Sequence, residues 1–128
     1  MLDEIFDEVR KAVSGEFPAL AGIEMAFCAK ADKENKQCPR VFAHIAHMPD
    51  IVCVAYAIED LPSEAIEGVF WHEFGHLILQ GPMGGYMNAV CMDEAHEEAL
   101  VNSLVFDIFG VHIGYDERGV EYVRQPEG

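Results

Sequence analysis

Basic residues are scarce in this chain: eight lysines and arginines stand against 23 aspartates and glutamates, a formal charge of -15 at neutral pH. So acidic a surface repels phosphate backbones and anionic headgroups, which argues against nucleic acid or a membrane as partner and for a neutral or basic one. Surplus carboxylates also keep a protein soluble without steering anything, so the charge by itself names no substrate.

Paired cysteines are missing too. Cys28, Cys38, Cys53 and Cys91 form no CxxC pair and have no spacing of a zinc ribbon or disulfide framework, so reduced thiols are expected. Several fall in predicted strands, where a free cysteine behaves as a small hydrophobe. No apolar stretch approaches the roughly 20 residues that a membrane-spanning helix needs. The opening Met1-Leu2-Asp3-Glu4-Ile5 carries acids where a secretory signal would carry lysine or arginine. A cytoplasmic setting is the expectation, and it disfavours a bond between Cys28 and Cys38 across the polar loop they flank.

What the chain does have is a core. Hydrophobic residues make up 51% and aromatic residues 10% of 128 residues, which suits one globular domain spanning 1–128. Leu2, Ile5, Phe6, Val9, Ala12 and Val13 recur at helical spacing, predicting an amphipathic first helix that Gly15 and Pro18 end. Residues 22–30 alternate loosely as a strand, and a charged loop follows over Asp32 to Gln37. Val41 to His47 and Ile51 to Ile58 read as two strands around a short Met48-Pro49-Asp50 hairpin, the second buried on both faces and the first at an edge.

Ser63 after Leu61-Pro62 predicts a helix start and Gly81-Pro82 its stop. A glycine-rich loop over residues 81–88 leads to another helix, capped by Asp93 and ended by Gly110, and Val111 to Val123 reads as a hairpin turning at Asp116-Glu117-Arg118-Gly119. The expected class is α+β: an N-terminal helix, a small three-stranded, mainly antiparallel sheet, two further helices and a C-terminal hairpin.

The chemistry lies in the second predicted helix, where His72-Glu73-Phe74-Gly75-His76 forms an HExxH pentapeptide within the apolar run of Val69, Phe70, Trp71, Leu77, Ile78 and Leu79. Residues four apart lie one above the other on a helix, so the imidazoles of His72 and His76 can close on one metal ion, with zinc the best match. Glu73 stands where its carboxylate can take a proton from an activated water. A chance match on a core helix would bury two imidazoles and a carboxylate at considerable cost.

A catalytic zinc needs a third protein ligand, and residues 90–110 offer Glu94, His96, Glu97 and Glu98. Val101, Leu104, Val105 and Ile108 define the predicted buried stripe of their helix. Stepping about 100° per residue from Val101 brings Glu94, Glu97 and Glu98 within roughly 60° of it and turns His96 to the opposite side. The three glutamates would also suit a solvated acidic first turn that complements the helix dipole.

From Leu61 through His72-Glu73-Phe74-Gly75-His76 to Leu79, the chain resembles the active-site helix of the minimal gluzincins, the ImmA/IrrE-type zinc metallopeptidases. The stretch Glu98-Ala99-Leu100-Val101-Asn102 is similar to that family's second helix, which supplies a glutamate ligand followed four residues later by Asp or Asn. The resemblance spans roughly residues 20–110 and rests chiefly on the HExxH. It implies a Zn²⁺ held by His72, His76 and Glu98, with Asn102 supporting Glu98 and Glu73 as the catalytic base. Glu94, supported by Glu98, is the rival third ligand.

The implied activity is zinc-dependent hydrolysis of a peptide bond, in a specific protein substrate such as a regulator. The substrate strand would add to the sheet edge at Val41 to Ala46. Tyr86, His112 and Tyr115 are candidate donors to the oxyanion, with packing or surface roles as the plainer reading of each. A catalytically degenerate zinc-binding interaction module of the same fold is the alternative function, and a small acidic adaptor without metal a further one.

Overall fold

A computed structural model describes residues 1–27, 43–45, 51–80, 94–116 and 119–124. Helix α1 (Leu2–Glu16) buries Phe6, Val9 and Val13 along one stripe, as the heptad-like spacing requires. Phe6 meets Phe70 edge-on at 5.1 Å and lies 5.5 Å from Phe74, which docks α1 on the helix that carries the HExxH. Each such buried aromatic or aliphatic side chain contributes about 1.5–3 kcal/mol. Arg10 ties the other flank down, donating to the Ile23 carbonyl at 3.0 Å while pairing with Asp7. The helix closes with a bond from Phe17 N–H to the Val13 carbonyl, and Pro18 starts a short 3₁₀ turn.

Strands β1 (Glu24–Phe27), β2 (Ala43–Ile45) and β3 (Ile51–Val54) form a sheet in the order β1-β3-β2. As expected, β3 is central and β2 lies at an edge. The sheet is mixed, however, and not mainly antiparallel: β1 runs parallel to β3, with Met25 opposite Val52, while β2 runs antiparallel, with His44 opposite Cys53. A parallel pairing between non-consecutive strands needs a long connection, and residues 28–50 supply one. The β2–β3 turn at Met48-Pro49-Asp50 and the expected loop over Asp32 to Gln37 lie outside the described residues, as do Cys28, Cys38 and Cys91.

The run Ile51 to Ile58 is also not one strand buried on both faces. Val52 and Val54 are buried but Ile51 and Cys53 are only half-buried, and from Tyr56 to Asp60 the chain winds into a 3₁₀ helix. That turn carries Ile58 into the core, fully buried. An apolar run reads as a strand by composition, although its last residues here reach the core through a helical turn.

Helix α2 (Ser63–Gln80) follows, with Ser63 its first helical residue, one position inside the cap expected of it. It is the centre of the molecule, touching α1, β2, helix α3 (Glu94–Phe109) and the C-terminal hairpin. Gly110 ends α3 in the left-handed region at φ 70, a conformation that favours glycine. The hairpin then forms as expected: β4 (Val111–Asp116) pairs antiparallel with β5 (Gly119–Arg124), and Val111 and Ile113 point into the core. Helices and small sheets therefore share one core, an α+β arrangement. No helix among the described residues is long and apolar enough to cross a membrane.

Candidate metal centre

Because α2 is surrounded, its apolar residues occupy every side: Ile66, Val69, Phe70, Trp71, Phe74 and Ile78 are all at most 1% exposed. Within this dry setting sit His72 at 3% and Glu73 at 6% exposure, the only buried polar side chains among the described residues. Buried polar groups of this kind are costly unless an interaction compensates them.

The helix brings the two imidazoles together. His72 and His76 have ring centroids 4.7 Å apart with planes at 75°, and their Nε2 atoms lie 3.1 Å from each other. Two nitrogens bound tetrahedrally to one zinc ion at the usual bond length stand roughly 3.4 Å apart, so a small rotation of either ring suffices for chelation. With one ring as donor and the other as acceptor, the same separation is a hydrogen bond. The donor set of two Nε2 atoms meeting at the half-buried His76, with the buried Glu73 next to His72 in the chain, fits zinc.

Packing of α3 against α2 is set at Gly75. A Cβ placed there would stand 2.5 Å from Val101 Cγ1 and 3.0 Å from Val105 Cγ2, so the missing side chain lets the two helices approach. One turn of α2 earlier, Trp71 packs on Phe109 at 4.7 Å. These two contacts orient the helices antiparallel, with the N-terminal half of α3 directed toward the C-terminal end of α2. Trp71 is thus a core residue, as expected, and its indole donates to Glu67 at 3.4 Å.

The buried stripe of α3 differs in part from expectation. Val101 and Val105 are buried, Leu104 is half-buried and Ile108 is exposed at 38%. The inward direction therefore lies between Val101 and Val105, turned toward Asn102. By backbone phase alone, the helix position of Glu94 falls in that direction, that of Glu98 about 40° from it on the Asn102 side, and that of His96 opposite. The side chains of Glu94, His96, Glu97 and Glu98 are outside the described residues, and among the described residues no group of three metal-binding side chains occurs.

Asn102 adds an observation that residue type alone did not reveal. Its Oδ1 is buried and finds no hydrogen-bond partner among the described residues. A buried acceptor left so costs about 1–3 kcal/mol. Of the candidate oxyanion donors, His112 is exposed on β4, while Tyr86 and the Tyr115 side chain lie outside the described residues. No family model matches the chain, and neither a curated protein nor a solved structure matches it.

Proposed function

We propose that the chain is a zinc-dependent peptidase directed at a specific protein substrate, with His72, His76 and Glu98 as metal ligands and Glu73 as catalytic base. The observation that carries this reading is the convergence of His72 and His76 Nε2 at 3.1 Å on a helix that also buries the adjacent Glu73. When bound, zinc supplies Lewis acidity, polarising a carbonyl oxygen and acidifying a coordinated water.

The chain's own residues do the rest. Glu73, held on the rigid core helix, accepts the proton of the attacking water and delivers it to the departing amine. An extended substrate adds to the β2 edge, which lies beside α2. Asn102, one turn beyond Glu98 on α3, carries a side-chain N–H that can donate to the Glu98 carboxylate and an Oδ1 acceptor that can receive the ring N–H of a ligating imidazole.

A zinc-binding module without turnover is the alternative. A structural zinc gives no work to a carboxylate adjoining its histidines, so the buried Glu73 favours catalysis over that alternative. Metal analysis after purification without chelator tests the reading. About one equivalent of zinc, lost in a His72→Ala, His76→Ala double variant, is the expected result. Wild-type protein that takes up no zinc overturns it.

A further inference from the structure

A second site lies at the opposite end of α2 from the histidines. Met1, Leu2, Phe27 and Ile66 wall a pocket of about 360 Å³, with Asp3 and Glu59 also lining it. At the low end of the roughly 300–1,000 Å³ typical of ligand pockets, this volume suits one large side chain better than a cofactor.

Its rim is aromatic. Phe27 stacks on Tyr56 with ring centroids 4.7 Å apart and planes within 7°, and the two remain 38% and 58% exposed. Together with Met1 they leave apolar surface open to water at a concave place, the pattern of an interaction site more than of scattered surface hydrophobes.

Charge narrows the occupant. The acidic side chains that line the pocket among the described residues are Asp3 and Glu59, set against the α-ammonium of Met1. Glu4 and Asp60, next to lining residues in the chain, and Glu64, two before Ile66, are exposed. The dipoles of α1 and α2 account for Asp3 and Glu64, which sit in first turns. Glu59 and Asp60 lie in the short 3₁₀ helix just ahead of α2. Nucleotides and anionic lipids are repelled by such a rim, whereas a lysine or arginine gains both from the carboxylates and from the exposed aromatic faces.

We propose that this pocket docks a basic peptide segment of a partner protein, with an apolar side chain resting on Met1, Leu2 and Phe27 above the buried Ile66 and flanking arginines or lysines meeting Asp3 and Glu59. The inference stands apart from the zinc reading, since none of its residues belongs to the metal centre.

The test uses a short dye-labelled peptide alternating arginine and leucine around one tryptophan, followed by fluorescence anisotropy on the full chain in chelator at roughly physiological salt. Tyr56→Ala and Glu59→Gln should each weaken binding about tenfold. Glu16→Gln and Asp107→Asn, which remove exposed charges elsewhere, should leave it unchanged. A peptide with glutamate in place of arginine should not bind.

Equal weakening in all four variants would mean diffuse attraction to an acidic protein and overturn the site, as would failure of the basic peptide to bind. Concentration-dependent self-association abolished by Tyr56→Ala would assign the pocket to a second copy of the chain. Tighter peptide binding after replacing Lys30, Lys33 and Lys36 with alanine would assign it to the chain's own cations. Either result overturns the proposal.

Discussion

Gly75 and Val101 meet where α2 packs on α3, and a Cβ on the glycine would come within 2.5 Å of the valine Cγ1. A helix-interior glycine ordinarily costs roughly 1 kcal/mol relative to alanine. Here the close approach makes it necessary. Gly75→Ala is predicted to destabilise the fold by about 1–3 kcal/mol despite its better helix propensity, because the valine methyl sits on a packed backbone. Val101→Ala should remove the clash, so that the double variant is more stable than the sum of the single changes predicts. Urea unfolding of the four proteins measures the coupling, and simple additivity would show that the helices separate freely.

The HExxH pentapeptide could be read in the chain because its geometry is local. Any helix through residues 72–76 superposes His72 on His76, whatever surrounds it. Gly110 and the hairpin after it were legible for the same reason, since turn chemistry acts over a few residues. The parallel pairing of β1 with β3 was not, because it depends on which distant strands share a core. Nor was the 3₁₀ turn at Tyr56, whose apolar neighbours satisfy a strand and a core-facing turn equally well. Ile108 shows a further limit. Its helical phase matches that of Val101, yet it is exposed, because helical phase states a direction and not whether a neighbour extends that far.

Glu73 is predicted to matter for turnover and not for metal loading. Glu73→Gln keeps the side-chain volume and removes the base, so peptide hydrolysis should fall by at least about 10²-fold, the low end of general acid–base contributions. Bound zinc should stay near the wild-type level. If zinc disappears along with activity, Glu73 is a ligand or a structural group, and the proposed division of roles fails.

The third ligand is predicted to separate two carboxylates one turn apart. Glu98→Ala should lower zinc affinity far more than Glu94→Ala, since only one of them completes the coordination sphere with His72 and His76. A competition titration against a chromogenic chelator reads the difference. Equal affinities would remove Glu98 from the site, and a larger loss in the Glu94 variant would move the ligand one turn toward the N-terminus of α3.

Asn102 is predicted to act through a ligand and not on the metal itself. Its Oδ1 is buried against the core without a hydrogen-bond partner among the described residues, so in metal-free protein it contributes a desolvation penalty. Asn102→Leu should therefore leave the metal-free fold as stable as wild type or more so, judged by its urea midpoint. The same variant should bind zinc about 10–100-fold more weakly, the usual consequence of losing a group that orients a metal ligand. Asn102→Asp, which keeps the acceptor, should retain most of that affinity. A merely structural asparagine predicts the reverse pattern, a lower midpoint without zinc and unchanged affinity, and that outcome would detach α3 from the metal centre at this position.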